Sequence, residues 1–210
     1  NIRQKRERKV VRSFLEDLVS KRLSTPEQQR PKDLLTNLLR GLEANKDKGL
    51  SEEDVSESGI SDILMTLLFA GYDTTSIALT YALYHIATMP ELGKKCLGEI
   101  QSMDPTDPDS LQYCKALILE TLRLYPPGTS TTSSLQKPLK LKGGIIIIPE
   151  GAYCVIPIWV IQHMEEHFER VDEFHPERWV HQDSNGVWRE RQEEKGEIAP
   201  INRKAFFAFS

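Results

Sequence analysis

The stretch "LLFAGYDTTS", residues 67–76, places a glycine, an acid and hydroxyls in the middle of a long apolar segment. Gly71 costs about 1 kcal/mol in a helix interior compared with alanine, and the Thr74 hydroxyl can bond back to the carbonyl of Ala70 and open the helix locally. A charge such as Asp73 is costly to bury unless it is paired or used. The pattern predicts a bare patch of backbone beside an acid–alcohol pair that could pass protons. The residues fit equally well a kinked core helix whose Asp73 is neutralised by another side chain.

A second group of charges lies in "ILETLRLYPP", where Glu120 and Arg123 are the only charges between Ala116 and Pro127. Residues three apart share one face of a helix, and an exposed pair of this kind adds only about 0.2–0.5 kcal/mol. On an almost wholly apolar helix the pair should instead be buried, and the five donors of Arg123 then need partners. A further charged or carbonyl-rich element should pack against it, and "FHPERW" offers Arg178.

Helices must position both groups. The acid–alcohol pair falls in a predicted helix of roughly 35 residues that begins at a capping box, Ser51 to Asp54, and ends before Pro90, which starts the next helix. Apolar residues lie all around this long helix, so we expect it to be buried on most sides. We also expect Asp33 to cap the short helix "KDLLTNLLRGL" and Ser110 to cap the helix of "ETLR".

The character of the sequence changes after Pro126-Pro127. The segment "LKLKGGIIIIPEGAYCVIPIW" predicts short strands, with Gly143-Gly144 as a hairpin turn. Asn185-Gly186 predicts a surface loop. Helices followed by a small sheet indicate a mainly α fold with a small β-sheet region, in the α+β class.

Composition excludes some function classes. With 39% hydrophobic and 28% charged residues in 210, the chain can build a sizeable core as one domain or a large piece of one. The net charge of −4 gives no overall basic field for nucleic acid. Basic residues crowd the first helix, residues 1–23, and could contact nucleic acid or lipid. Acids follow at once at Glu16 and Asp17, which favours a solvated face.

The number and spacing of the cysteines indicate the redox compartment of the protein. Three widely spaced cysteines without a C-x-x-C pair argue against a disulfide framework or a zinc site and fit a reducing compartment.

A membrane span is the rival interpretation of the long helix. Because Asp62, Asp73 and His85 interrupt it, no uncharged run approaches the ~18 residues that a span needs. We therefore expect the central helix of a helical domain.

Three motifs in order carry a family resemblance: A-G-x-D-T-T in a long helix, E-x-x-R before Pro-Pro, and F-x-P-E-R-W. In this order and spacing they resemble the haem-thiolate monooxygenases, the cytochromes P-450. The resemblance covers essentially residues 1–210 and implies a partial cytochrome P-450 fold. The chain begins at Asn1 without a signal peptide and stops at Ser210 after an apolar run, so we expect an internal fragment of a longer protein.

The resemblance implies roles for individual residues. Ala70 and Gly71 match the groove over the haem where dioxygen sits. Asp73 and Thr74 match the acid–alcohol pair that relays protons to dioxygen. A third set, Glu120 with Arg123 and Arg178, matches a structural Glu–Arg–Arg cluster that locks the core around the haem loop and is not catalytic.

The iron ligand of the family is a cysteine in a loop patterned F-x-x-G-x-R-x-C. "FFAFS" fits the opening of that loop at Phe209, so the ligand is expected a few residues beyond Ser210 and no metal ligand is expected in this chain. The cysteines present are expected to be small core or surface residues: Cys96 and Cys114 in helices and Cys154 in a strand.

Propionate binding departs from the family pattern. The resemblance implies an arginine about six residues after Pro-Pro, which in many relatives holds a haem propionate. This chain has "GTSTTSS" there instead, and Ser133 cannot supply a charge. His163 resembles the family's histidine before F-x-P-E-R, although the spacing is one residue short. We take His163 as a candidate cofactor-binding residue.

The resemblance implies a monooxygenase that uses haem b and dioxygen to oxidise a lipophilic substrate, with electrons from NADPH through a partner reductase. It also implies an endoplasmic reticulum membrane location on the cytosolic face, through an N-terminal anchor not seen in this chain. Without the ligand loop, we expect the chain alone to be inactive. The alternative is a non-catalytic helical scaffold or interaction module, in which the Asp73–Thr74 pair is only a kink.

Overall fold

The structure is a computed structural model, and it describes residues 2–45, 56–104, 106–191 and 205–207. The predicted capping box, Ser51 to Asp54, and the predicted loop opening at Phe209 lie outside the described residues. The chain divides into two compact units, Asn1–Asp73 and Thr74–Ser210, with the boundary inside the longest helix. Our expectation of a single partial domain over residues 1–210 stays a prediction.

The described residues form mainly helices with a few short strands, which confirms the predicted fold class. The helices are α1 (Ile2–Ser24), α2 (Leu34–Ala44), α3 (Glu57–Thr88), α4 (Pro90–Ser102), α5 (Gln112–Leu124) and α6 (Ile158–Gln162). The strands are β1 (Thr131–Ser134), β2 (Leu139–Leu141), β3 (Ile146–Ile148), β4 (Tyr153–Ile156), β5 (Val180–Gln182) and β6 (Trp188–Glu190).

The first unit is a small helical core. Apolar side chains of α1, α2 and the start of α3 meet there: Leu15, Val19, Leu35, Leu39, Ile60 and Leu64. Asp33 caps α2 as predicted, because its carboxylate accepts the Thr36 N–H at 2.9 Å. The Arg22 guanidinium lies 2.6 Å from the same carboxylate and holds the pKa of Asp33 well below its usual value. The cap therefore also joins α1 to α2.

Helix α3 runs without a break over 32 residues and ends just before Pro90, which begins α4, as predicted. The expectation that α3 is buried on most sides is wrong. Its buried residues lie near its two ends, and none lies between Met65 and Tyr81, a stretch that the structure describes in full. The physical reason is that the described residues supply apolar partners only to those ends, at Ile60 and at Ala82.

By length and hydropathy α3 could also cross a bilayer, the only described helix of which this holds. A long core helix passes the same test, so length and composition alone do not favour a span.

The second unit joins α4 to α5 through a cap that the sequence did not indicate. Ser110 does not cap α5; it ends a 3₁₀ turn, Pro108–Ser110, and its hydroxyl oxygen lies 2.8 Å from two carbonyl oxygens of its own loop, either of which can accept its single proton. Glu99, a buried residue of α4, accepts the N–H groups of Tyr113 at 2.8 Å and Cys114 at 2.9 Å. A carboxylate at a helix N-terminus satisfies orphan donors and complements the helix dipole.

The strands form three two-stranded antiparallel sheets: β1 with β4, β2 with β3, and β5 with β6. The predicted hairpin turn at Gly143-Gly144 is confirmed, and both glycines have the positive φ that such a turn requires (67° and 96°). Asn185-Gly186, predicted as a surface loop, is the turn of the β5–β6 hairpin. The Asp183 carboxylate accepts the N–H groups of Asn185 and Val187 there.

Candidate functional site

The candidate cofactor surface lies on α3, where Ala70, Gly71, Asp73 and Thr74 are all exposed. A Cβ added to Gly71 would meet no heavy atom within 4 Å. Apolar neighbours on the helix are exposed as well, including Phe69 at 52%. The patch is open and apolar, so a flat apolar group could lie against the backbone there.

Asp73 is not the buried charge that the sequence suggested, because its side chain lies on the exposed stretch of α3. The predicted local opening of the helix is likewise not seen as a break in α3. Back-bonding hydroxyls are nevertheless common in this helix, from Thr66, Thr80 and Thr88 to the carbonyls four residues earlier. These bonds lie within one helix and leave its course continuous.

A buried ion pair lies at the end of α5. Arg123 donates from Nε to Glu120 Oε2 at 3.1 Å and from Nη2 to Glu120 Oε1 at 2.9 Å, and both side chains have no solvent exposure. Its remaining donors reach three carbonyl oxygens: those of Gln162 at 3.0 Å, Val171 at 2.8 Å and Glu173 at 3.2 Å. All five guanidinium donors are satisfied, so the carbonyl-rich element that the sequence required is the segment following α6.

Arg178 joins the same carboxylate. Its Nε donates to Glu120 Oε1 at 3.0 Å, and its two terminal nitrogens donate to the carbonyls of Glu169 and Arg170. Burial lowers the pKa of the Arg178 guanidinium, while the charge of Glu120 acts in the opposite direction. The structure thus brings together Glu120, Arg123 and Arg178, which are 58 residues apart at the extremes.

Sequence reasoning missed two further donors to Glu120, the Trp179 indole N–H at 2.9 Å and the backbone N–H of His175 at 3.1 Å. The carboxylate therefore accepts five hydrogen bonds and is fully buried. A carboxylate saturated in this way has no lone pair to offer a reacting group, so the cluster can hold elements together but cannot act as a general base.

Sequence reasoning also missed Gln162, which is fully buried and contacts the end of α5. The signal was present, since Gln162 is the one amide in the apolar run "IWVIQ". His163, the neighbouring candidate, is partly exposed; its Nδ1 lies 2.8 Å from the Trp159 carbonyl and its ring stacks on Trp159 at 4.2 Å. Of the two, Gln162 faces the cluster.

The three cysteines remain free thiols. Cys154 lies in β4 opposite Ser133 of β1 and is exposed. Cys96 and Cys114 lie at the contact between α4 and α5, where a hydrogen bond from Cys114 lowers the pKa of the Cys96 thiol. The same hydrogen bond raises the pKa of Cys114, and burial raises it further to a smaller extent.

His85 of α3 is buried at 8% exposure and lies in an aromatic cluster. Its ring stacks on Phe174 at 3.8 Å, and its Nε2 lies 3.3 Å from the Tyr125 hydroxyl. Burial lowers the pKa of His85, although the negative charge of Glu120 acts against that shift.

We expect the stability of the protein to fall with acidification through His85. A histidine whose folded pKa lies below its unfolded value of about 6.5 favours folding fully above that pH, and the benefit is lost as pH falls toward the folded pKa. His85→Phe keeps an aromatic ring against Phe174 but cannot titrate. Urea unfolding across about pH 7.5 to 5 should therefore show a shallower loss of stability in the variant. Burial also lowers the pKa of His175. Because His175 is present in both proteins, it contributes equally to the two slopes. Equal slopes would contradict the assignment.

The family described as Cytochrome P450 matches residues 1–210. The chain belongs to the cytochrome P450 family. The resemblance drawn from the three sequence motifs is confirmed, and the family is one of haem monooxygenases.

Curated relatives cover most of the chain, although the chain covers only part of each of them. Rat cytochrome P450 3A2 is 32% identical over 149 residues, 65% of this chain and 29% of the relative. Mouse cytochrome P450 3A16 is 29% identical over 183 residues, 84% of this chain and 36% of the relative. The chain therefore spans about a third of the length of these cytochromes P450.

A solved structure gives the same fold. A zebrafish cytochrome P450, determined with progesterone, matches with a TM-score of 0.68 and 21% identity over 81% of this chain and 41% of that protein. At this identity the match shows the fold alone, which is the partial cytochrome P450 fold that the motifs predicted.

Proposed function

We propose that this chain forms part of a haem-dependent monooxygenase that inserts one oxygen atom of O2 into a lipophilic organic substrate. Electrons would come from NADPH through a partner reductase. Membership of the cytochrome P450 family supports the reaction class, and the open apolar surface at Gly71 beside Asp73 and Thr74 is the observation that carries the assignment to this chain.

The residues of α3 fit a flat macrocycle such as haem b. Gly71 has no side chain and open space above its Cα, and Ala70 adds only a methyl group. The exposed side chains of Leu67 and Leu68 offer apolar surface nearby on the same helix. Bound haem would supply the oxidation chemistry, while the protein supplies binding, orientation and proton delivery. We assign Ala70 and Gly71 to haem contact on this basis.

We assign proton delivery to Asp73 and Thr74. The hydroxyl of Thr74 can donate its proton from Oγ1 and accept another, and an exposed carboxylate such as that of Asp73 can take up a proton from solvent. Side chains adjacent in a helix do not face each other. We therefore expect a bridging water between the two groups, a geometry that costs little in energy.

We further propose that His163 binds a carboxylate of the cofactor. Its Nδ1–H must donate to the Trp159 carbonyl, since a carbonyl oxygen only accepts, so His163 would donate from Nε2 to the anion as the doubly protonated imidazolium. The cluster of Glu120, Arg123 and Arg178 has the structural role of holding the segment after α6 against α5.

Gly71→Leu should separate stability from cofactor binding. Leucine favours a helix interior over glycine by about 0.8 kcal/mol, and a Cβ at this position meets no heavy atom within 4 Å, so the apoprotein should become more stable. In the full-length enzyme the new side chain would occupy the cofactor surface, and we expect haem affinity to fall at least about tenfold. Absorbance titration with haemin measures the affinity, and urea unfolding measures the stability.

Gly98→Leu is the matched control, since Gly98 lies in α4 and a Cβ there also meets nothing within 4 Å. It should stabilise the protein similarly and leave haem affinity unchanged. Equal haem affinity in both leucine variants would overturn the proposal for Gly71.

We also expect the 210-residue chain alone to be inactive and to give no thiolate-type Soret band with carbon monoxide after reduction. The basis is the placement of its cysteines: Cys96 and Cys114 interact with each other between two helices, and Cys154 lies in a strand. Reconstitution with haemin tests this directly, and a thiolate-type band would refute it.

For the full-length protein we propose a location at the endoplasmic reticulum membrane, facing the cytosol and held by an N-terminal anchor.

A further inference from the structure

Gln162 links three separate parts of the second unit. Its Nε2 donates to the carbonyls of Leu122 at 3.1 Å and Arg123 at 2.9 Å, and its Oε1 accepts the backbone N–H of Phe207 at 3.0 Å. Its own backbone carbonyl accepts from the Arg123 guanidinium. Every polar atom of the side chain is used, and the residue has no solvent exposure.

The two carbonyls that Gln162 satisfies belong to the last turn of α5. The final carbonyls of a helix have no partner within the helix and need one from outside when they are buried. An amide NH₂ with two donors matches two neighbouring carbonyls, which neither a carboxylate nor an apolar side chain can do. Gln162 therefore acts as a cap for α5 that comes from another helix.

The third bond extends this cap to the segment 205–207. Ala205 is buried at 4% exposure, and the Phe206 ring packs against Trp179 at 4.8 Å, so apolar contacts also hold this segment. The Phe207 N–H is the point at which the segment is hydrogen-bonded to Gln162. An apolar contact is non-directional, whereas this hydrogen bond fixes both the distance of the Phe207 backbone from Gln162 and its orientation.

We propose that Gln162 is a positioning residue that aligns the chain at Phe207 with the end of α5. This proposal rests on the proposed function only in its consequence: the backbone leaving Phe207 would be directed toward the haem-binding loop that we expect beyond Ser210. The alignment itself is a property of α5, α6 and residues 205–207, all of which lie in one unit.

Three variants separate the bonds. Gln162→Leu removes all three side-chain bonds at similar volume. Gln162→Glu keeps an acceptor for the Phe207 N–H but loses both donors to α5. Gln162→His keeps one donor and one acceptor and is the conservative variant.

Amide hydrogen exchange at Phe207 in the chain without cofactor is the direct measurement. We expect exchange about fivefold faster in Gln162→Leu, the factor that corresponds to the net contribution of a hydrogen bond of ordinary strength. Protection should be retained in Gln162→Glu and partly restored in Gln162→His. Unchanged exchange at Phe207 in Gln162→Leu would overturn the proposal.

Thr121→Val is the matched control. Thr121 is also fully buried in α5, but its hydroxyl bonds only to the Leu117 carbonyl of its own helix. It should destabilise the unit without a selective rise in exchange at Phe207. A rise equal to that of Gln162→Leu would mean that the effect is general loosening, and the proposal would be wrong.

The consequence is tested in the full-length enzyme. Relative to wild type, the reduced carbon monoxide spectrum of Gln162→Leu should show a larger fraction without thiolate ligation, and Gln162→His should recover part of it. Spectra identical to wild type alongside faster Phe207 exchange would reject the consequence and leave the alignment standing. A wild-type enzyme that binds no haem would instead reject the proposed function, while hydrogen exchange still decides the role of Gln162.

Discussion

Replacing Arg123 with leucine should lower the free energy of unfolding by about 3–5 kcal/mol, because it removes five hydrogen bonds from a buried cluster and leaves buried acceptors without donors. Glu120, which has no solvent exposure, would keep Arg178 as its charged partner but lose two of its five hydrogen bonds. The carbonyls of Gln162, Val171 and Glu173 would lose their shared donor in the same step. A loss of this size is a large fraction of the stability of an ordinary domain.

Guanidinium unfolding followed by circular dichroism measures the effect. Arg123→Lys serves as a second variant if the leucine protein is insoluble, because it keeps the charge but cannot reproduce five planar donors. Lys94→Ala is the matched control: Lys94 pairs with Glu91 at the same spacing of three residues, but both side chains are about 70% exposed. It should leave stability unchanged. An effect of Arg123→Leu no larger than that of Lys94→Ala would contradict the buried-pair account.

Much of this cluster could be predicted from local sequence. Glu120 and Arg123 are the only charges in a long apolar run, and burial then forces a carbonyl-rich partner and favours Arg178. Gln162 and the His175 amide could not be predicted in the same way. Their contribution depends on how α6 and the following loop pack on α5, and no spacing rule encodes such long-range packing.

The helix ends show the same limit. Asp33 was predictable as a cap because its partner, the Thr36 N–H, lies three residues on. The cap of α5 was predicted wrongly at Ser110, since Glu99 reaches that helix from a different one. For α3, apolar residues on all sides indicated burial, yet burial also depends on what packs there, and the described residues cover only its ends.

In the full-length enzyme, Thr74→Ala should retain haem but yield far less product per O2 consumed, with the difference released as hydrogen peroxide. Proton transfer by a positioned side chain contributes about 10²–10⁴ to a rate, so we expect product formation to fall about 100-fold, near the lower end of that range. Haem content should not change, because a threonine methyl and an alanine methyl present similar apolar surface to the cofactor.

Parallel assays of NADPH, O2, product and peroxide measure this coupling. Thr80→Ala is the matched control, because Thr80 lies on the same helix and its hydroxyl bonds to the Ser76 carbonyl at 2.7 Å. It removes a back-bonding hydroxyl without removing the proposed proton donor, so coupling should stay as in wild type. Asp73→Asn should slow product formation as Thr74→Ala does, since an amide cannot take up and release protons near neutral pH. Unchanged coupling in Thr74→Ala would leave the hydroxyl with only a helix-local role.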